Sequence, residues 1–507
     1  MSLRKKVILN AGSNWMSMFV MAVIGLYLVR VFLHELGRDA FGVWALLSTG
    51  LRYPMILERA FVLAMNRFAA FYREDKAKLN SLITSSFVIL AFFGIVTILI
   101  SILLSFFISD LFAAITEEFS YDAKITCILV GTTLALKMLE ATFSGVLQGH
   151  HYYTRYNIVV TTTNIFRAIL TLILFVFWKS IIAFQFAFCV TAAVSAISMY
   201  FLAKKSITDI RVSLRLVDKN NLRELWEYTS HSIARSGSSI FMFSSMALLV
   251  GAIGNASHVA IYDIGQRIPT FLRGFFASTQ VVFLPAVSGL WSQNRIDAIK
   301  AVLKKGTRIS SVIACAFIIL LFIFADRILI FWLEGNVPEG ADMVMRLLLI
   351  SVLPGGLFEI WLPALVGMGF LRGLTIASIA TAVGSVLLAG LLIVRNVVSE
   401  PIAPAVALIC AMWIKTGLWL PIYGLKKLNM SLVEYFKESM LKPIVASCIC
   451  IIALLVLNNL SIFENVHWLL MFGLSMIITL VCFSIVSMRS ETIELYVNIK
   501  RKISSKR

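Results

Sequence analysis

Charged side chains occur inside apolar segments of this sequence, and they are the residues whose types and spacing could do chemistry. The stretch YDIGQRIPTFLRG holds Asp263, Arg267 and Arg273 around Pro269. It lies within about thirty mostly apolar residues, a length typical of a membrane span. A charged residue at the centre of a membrane helix is unfavourable by about 2.5–3.5 kcal/mol, so it usually faces a protein interior or a wet cavity. These charges therefore mark a candidate binding site.

Basic residues outnumber acidic ones among these intramembrane charges, which favours an anionic ligand. The planar fork of arginine can donate two parallel hydrogen bonds to a phosphate group, and lysine supplies a point charge. Asp263 lies one turn before Arg267 and is expected to pair with it. The alternative is an internal salt bridge beside an arginine that reaches the membrane interface. The predicted cavity comprises Arg267, Arg273, Arg59, Arg167, Arg235, Arg346 and Lys415.

Acidic residues in the same segments are candidates for ion coupling or for charge pairing. Glu140 and Glu359 could bind a proton or another cation, or could pair with Lys137 and Arg346. Asp263 and Glu58 complete this acidic set. Two prolines, Pro269 and Pro354, are expected to kink their helices or to permit gating.

The sequence contains no pattern that predicts a catalytic residue, a metal site or a nucleotide site. There is no GxxxxGK[ST] motif, so the energy for any transport is expected from a proton or sodium gradient, from substrate asymmetry or from removal of the product on the far side. The histidines lack the spacing of metal ligands, and the seven cysteines fall in apolar runs without CxxC pairing. We predict no cofactor and no enzyme activity.

The composition identifies an integral membrane protein. Hydrophobic residues make up 59% of the 507 residues and charged residues 14%, and the mean hydropathy is +0.89. The formal net charge of +18 could suggest nucleic acid, but Lys and Arg concentrate in alternate loops, as expected for the cytoplasmic side of a membrane protein. The sequence therefore predicts an all-α polytopic protein with about fourteen transmembrane helices, both termini in the cytoplasm and no nucleic-acid partner.

A weak internal repeat divides the chain into two halves. LEATFSGVLQG resembles FEIWLPALVGMG about 219 residues later and places Glu140 opposite Glu359. We expect two pseudo-symmetric six-helix lobes and two additional helices. The predicted boundaries are 1–203 for the N-lobe, 204–229 for a cytoplasmic linker, 230–424 for the C-lobe, and 425–507 for the last two helices and a basic tail.

Three segments carry a resemblance to a known family: ELGRDAFGVWALLSTG, MNRFAAFYREDKAKLNSLITSSF and GVLQGHHYYTRYNIV. They resemble the polysaccharide-biosynthesis flippases, which are the O-antigen and capsule translocases of the superfamily that also contains lipid II flippases and multidrug and toxin extruders. The resemblance runs from about Leu9 to Gly424. It implies the fold of the toxin extruders, a bacterial inner-membrane location, and a substrate consisting of undecaprenyl-diphosphate-linked oligosaccharide.

The predicted function is therefore a flippase that moves this lipid-linked oligosaccharide from the cytoplasmic to the outer leaflet by alternating access. Membrane lipid and other membrane proteins of polysaccharide assembly are the expected partners. Two alternatives stay open at this stage. One is a cation-coupled drug extruder of the same fold, which the excess of arginine disfavours. The other is a membrane-embedded glycosyltransferase or polymerase, which the short outer loops disfavour.

Overall fold

The computed structural model describes residues 3–50, 52–207, 210–280, 283–459 and 468–486, and these residues are helical with short connections. The helices before the midpoint are α1 (Leu3–Gly50), α2 (Met55–Phe71), α3 (Lys76–Leu111), α4 (Glu117–Gly149), α5 (Tyr153–Phe177), α6 (Ile181–Ser206) and α7 (Lys219–Ile253). The next are α8 (Ala256–Gln280), α9 (Phe283–Ser292), α10 (Ile296–Ile323), α11 (Ala325–Trp332), α12 (Ala341–Phe358) and α13 (Trp361–Gly367). The last are α14 (Leu371–Val394), α15 (Ala403–Met412), α16 (Leu420–Lys427), α17 (Leu432–Ser439), α18 (Leu441–Asn459) and α19 (Trp468–Val486).

The predicted all-α membrane architecture is confirmed. Within the described residues, nine helices are long and apolar enough to cross a membrane, and three shorter apolar helices accompany them. In a helix the backbone N–H and C=O groups bond to each other, which a membrane span requires because lipid offers them no hydrogen-bond partners. The chain is therefore a multi-pass membrane protein, while the total of fourteen spans stays a prediction.

The chain forms two compact units. The first comprises Met1–Asp263 with Val386–Pro404, and the second comprises Ile264–Ser385 with Ala405–Arg507. The lobe boundaries expected from the repeat stay a prediction. The linker expected at 204–229 is helical from Lys219 onwards, because the Asp218 side chain caps α7 by accepting from the backbone N–H of Asn221 at 3.3 Å.

In the first unit, α4 is the central helix and packs against α2, α3 and α6, while α7 packs against α1, α2 and α3. Glycines permit the close approach of α4 to α2. A Cβ atom added at Gly145 would lie 2.7 Å from the carbonyl oxygen of Val62, and one added at Gly149 would lie 2.5 Å from that of Asn66. This spacing of small residues is typical of membrane helix pairs.

In the second unit, α10 is the central helix and packs against α12, α17, α18 and α19. Here α13 packs against α9, and a Cβ atom at Gly367 would lie 2.7 Å from Ser288 Oγ. The α9 and α13 pair follows the α2 and α4 pair by about the 219 residues of the repeat. The contact of α9 with α13 in the second unit therefore resembles that of α2 with α4 in the first, because a glycine lies in each contact.

Candidate functional site

Glu359 and its charged neighbours form a cluster in the second unit. Glu359 caps the C-terminal end of α12, where its backbone N–H donates to the carbonyl oxygen of Gly355 at 3.1 Å. Its carboxylate interacts electrostatically with Lys415 and Arg273. These two cations and one anion leave an excess of one positive charge. We refer to Glu359, Lys415 and Arg273 as the basic cluster.

The break at Glu359 follows from the sequence Pro354-Gly355-Gly356. Pro354 lies inside α12, where it cannot donate a backbone hydrogen bond, and α12 ends four residues later. The next helix, α13, begins at Trp361, and the kinking or gating role of Pro354 stays a prediction. The end of α12 places a carboxylate within an apolar segment, where interrupted helices of transporters often bind substrates or ions.

Lys415 lies in a π-helical segment, Trp413–Trp419, between α15 and α16. A π-helical turn inserts a residue into the ordinary helix, and such turns are frequent at functional sites. The segment packs on α12, and within it Gly417 leaves room for the Trp413 ring, because an added Cβ atom would lie 2.9 Å from that ring. The unusual helix therefore lies against the interrupted one and carries Lys415 towards Glu359.

Arg273 reaches the cluster from α8, where its guanidinium donates to Thr270 Oγ1 at 3.3 Å. Gly265 lets α8 approach α12 closely, since an added Cβ atom there would lie 2.7 Å from Val344 Cγ1 on α12. Pro269 lies inside α8, which continues to Gln280. Six residues of an α-helix turn about 600°, so Arg267 projects about 120° away from Arg273. A pairing of Asp263 with Arg267 and a phosphate clamp by both arginines stay predictions.

A second cluster of charges lies in the first unit and is balanced. Lys137 Nζ lies 2.6 Å from Glu140 Oε2, as one of the sequence alternatives predicted. Glu58 on α2 interacts electrostatically with Lys137, Glu140 and Arg59, and the exposed Arg59 follows it on the same helix. The hydroxyl of Tyr156 on α5 is close enough to interact with both carboxylates. Two carboxylates and two cations thus share one region.

Arg346 is bound to carboxylates in the second unit. It donates to Asp342 at 2.6 Å and to Asp326 at 3.4 Å, and to the carbonyl oxygen of Phe322 at 3.2 Å. The expected pairing of Arg346 with Glu359 is wrong, because Asp342 is one turn away on the same helix and Glu359 interacts with Lys415 and Arg273 instead.

Arg167 is held in the first unit by an aromatic ring and an amide. Its guanidinium lies 4.3 Å from the centre of the Phe188 ring and donates to Asn164. Its Nε atom is buried and has no hydrogen-bond partner among the described residues, which leaves one donor for a ligand or water. Arg235 belongs to α7, but its side chain lies outside the described residues.

Two features of these clusters could not be read from the sequence patterns used. The π-helical turn at Lys415 has no spacing signal, and nothing in the segment GVLQGHHYYTRYNIV marks Tyr156 as a neighbour of the carboxylates. Within the described parts of the chain, His, Cys, Asp and Glu form no group of three or more that could hold a metal ion.

Comparison with known proteins identifies the family. Residues 36–334 match the sequence model of the family described as "Polysaccharide biosynthesis protein", which is more than half of the chain. The chain belongs to this family. A search of curated proteins gives no match. The polysaccharide-biosynthesis assignment agrees with the resemblance carried by the three sequence segments quoted above.

Solved structures show the fold of this polysaccharide-biosynthesis protein. The lipid II flippase MurJ in an inward closed conformation superposes with a TM-score of 0.72 at 16% identity, covering 94% of this chain and 98% of MurJ. An inward-facing MATE family multidrug resistance transporter of the MOP superfamily has a TM-score of 0.66 at 14% identity, with 82% and 98% covered. A MOP superfamily transporter from Pyrococcus furiosus has a TM-score of 0.59 at 13% identity, with 84% and 97% covered. The fold is therefore the one that MurJ and these transporters share.

Proposed function

We propose that this protein is a flippase that moves undecaprenyl-diphosphate-linked oligosaccharide, a precursor of O-antigen, capsule or a related polysaccharide, across the bacterial inner membrane. The observation that carries the proposal is the basic cluster, in which Lys415 and Arg273 outnumber Glu359 inside the membrane-spanning part of a polysaccharide-biosynthesis protein. The similarity in fold to MurJ, a lipid II flippase, supports the same class of function.

The chemistry of the cluster suits a diphosphate. The phosphate groups bring negative charges that the excess cation attracts, and the attraction is stronger where the surroundings exclude water. Arg273 can donate two parallel hydrogen bonds to phosphate oxygens, and Lys415 adds a charge without fixed direction. Glu359 neutralises one of the two cations when the site holds no substrate, because an isolated charge is costly in this environment.

The movement we propose is alternating access, with the sugar head in the protein and the lipid tail in the bilayer. The interruption of α12 after Pro354 is the candidate hinge. The protein would take up its substrate on the cytoplasmic side, where both termini would lie, and release it towards the membrane proteins that assemble the polysaccharide.

A proton or sodium gradient is the proposed energy source, and the first unit supplies candidate groups for it. Glu58 and Glu140 repel each other, so binding of one cation or proton between them would relieve that repulsion. The same observation supports a second candidate function, a cation-coupled drug extruder, because paired carboxylates also suit a cationic substrate.

The test is translocation of a fluorescent undecaprenyl-diphosphate oligosaccharide in proteoliposomes that contain the purified protein. Variants Arg273→Ala and Arg267→Ala are compared with Arg372→Ala, which removes an exposed arginine at the start of α14. We expect Arg273→Ala to lose most of the flipping rate and Arg372→Ala to retain it. Flipping that survives in Arg273→Ala would refute a role for the basic cluster. Absence of flipping by the wild-type protein, together with export of a cationic dye, would establish the extruder.

A further inference from the structure

A basic cavity lies at the N-terminal end of α10, and none of its lining residues belongs to the basic cluster. It has a volume of about 980 Å³ and is bounded by the first turns of α10, by α17 and by the start of α18. All of these elements belong to the second unit. Six of its lining residues are cationic: Lys300, Lys304, Lys305, Arg308, Lys437 and Lys442.

The carboxylates of the cavity neutralise only part of this charge. Lys304 Nζ lies 2.5 Å from Glu434 Oε1 and 3.0 Å from Glu438 Oε2, and Asp297 lies 4.0 Å from Lys300. The cationic residues exceed these three acidic ones by three. In the described part of the chain, Lys305, Lys437 and Lys442 have no carboxylate within ion-pair distance, so their charges are available to an anion.

Helix α17 has the amphipathic character of a helix that lies along a membrane surface. Leu432, Val433 and Phe436 are 55%, 73% and 45% exposed, while Lys437 on the same helix lines the cavity. An apolar face of this kind typically inserts at the boundary between lipid headgroups and acyl chains. The apolar helix α18 begins directly afterwards, at Leu441, so the cavity lies where a surface helix turns into a membrane helix.

The helix is fixed in this place by its buried face. The hydroxyl of Tyr435 shares a hydrogen bond of 2.6 Å with Thr307 on α10 and accepts one of 2.8 Å from Trp361 Nε1 on α13. Tyr435 is 2% exposed. These hydrogen bonds anchor α17, which forms one wall of the cavity, to α10 and α13.

We propose that this cavity binds the phosphate headgroup of an anionic membrane phospholipid, with the acyl chains lying along Leu432, Val433 and Phe436. Basic pockets between membrane helices at the lipid surface suit such headgroups, and each lysine or arginine near an anionic surface contributes about 1 kcal/mol, or about fivefold in affinity. This lipid is distinct from the transported substrate, because no cavity residue belongs to the basic cluster. The inference therefore goes beyond the proposed function.

The test measures binding of short-chain phosphatidylglycerol, short-chain phosphatidylcholine and inorganic phosphate to the purified full-length protein in detergent. The variant Lys437→Gln/Lys442→Gln removes two exposed charges of the cavity, and Lys204→Gln/Lys205→Gln removes two exposed charges from the last turn of α6 as a matched control. A third variant, Phe436→Ser, removes part of the apolar face while it leaves the charges.

We expect phosphatidylglycerol to bind more tightly than phosphatidylcholine. Its dissociation constant should rise about 25-fold in the cavity variant, by about fivefold for each charge, and stay unchanged in the control. Phe436→Ser should weaken binding of phosphatidylglycerol and leave that of phosphate unaffected. Equal binding of both lipids, or equal loss in the cavity and control variants, would overturn the proposal. Inorganic phosphate that binds as tightly as phosphatidylglycerol would also overturn it, because the site would then recognise a free anion.

Discussion

Lys137 and Glu140 form an ion pair one helical turn apart on α4, with 2.6 Å between Nζ and Oε2. The Glu140 side chain is 7% exposed and the Lys137 side chain 38%, so water can solvate the lysine but not the carboxylate. Glu58 adds a second negative charge to the same region. Lys137 therefore offsets negative charge from these carboxylates, which would be unfavourable inside the membrane if both were unpaired.

Replacement of Lys137 by methionine should destabilise the protein by about 1–3 kcal/mol, because the buried Glu140 loses its charged hydrogen-bond donor. Thermal unfolding of the detergent-solubilised variant measures this loss. The double variant Lys137→Met/Glu140→Met is the control, since it removes both partners and should recover most of the stability. A double variant less stable than Lys137→Met would show that the pair does not carry this interaction.

The basic cluster predicts an order of effects on transport. Lys415→Met removes the excess positive charge, so we expect at least a tenfold slower flipping rate for the diphosphate-linked substrate, equivalent to about 1.4 kcal/mol. Glu359→Gln keeps both cations and should lower the rate less. Initial rates in proteoliposomes, normalised to reconstituted protein, give the comparison. A larger loss in Glu359→Gln would indicate a cation as the substrate and favour the extruder.

Much of this architecture could be predicted from the sequence because lipid imposes a simple rule on each segment. Long apolar runs such as residues 76–111 must become helices, and the prolines and glycines after Ser351 predict an interruption. The pairing of Lys137 with Glu140 also follows from local spacing.

The partners of Glu359 could not be predicted in the same way. Arg346 has a local carboxylate at Asp342, and Lys415 approaches Glu359 from a helix more than fifty residues away in the sequence. Lys415 lies in a π-helical turn, which has no periodic signal in the sequence. Charges on separate helices are brought together by the fold, so their sequence positions do not show which of them meet.

The close contact between α2 and α4 at Gly149 should be sensitive to the addition of a side chain. Gly149→Ala places a Cβ atom 2.5 Å from the carbonyl oxygen of Asn66, so the helices must separate, and we expect a loss of about 1–3 kcal/mol. Gly384→Ala on α14 is the matched control, because nothing lies within 4 Å of its added Cβ atom. Thermal unfolding in detergent should show a lower midpoint for Gly149→Ala and little change for Gly384→Ala. Equal midpoints would mean that α2 and α4 can separate without cost.

The ion pair between Lys304 and Glu434 predicts a pH dependence of α17. The hydrogen bond from Lys304 lowers the pKa of Glu434 below its usual 4.5. Because the pKa in the folded protein is lower than in the unfolded chain, the pair stabilises the folded state at neutral pH, and this contribution is lost as the pH falls below about 4.5 towards the folded pKa. The protection factors of the α17 backbone amides in hydrogen exchange should therefore fall in acid more than those of α6. The variant Glu434→Gln removes the titrating group, so its α17 amides should be less protected at neutral pH, and their protection should change less on acidification.

An unaltered response to acid in Glu434→Gln would assign the pH dependence to another group, such as Glu438, whose carboxylate lies 3.0 Å from the same Lys304.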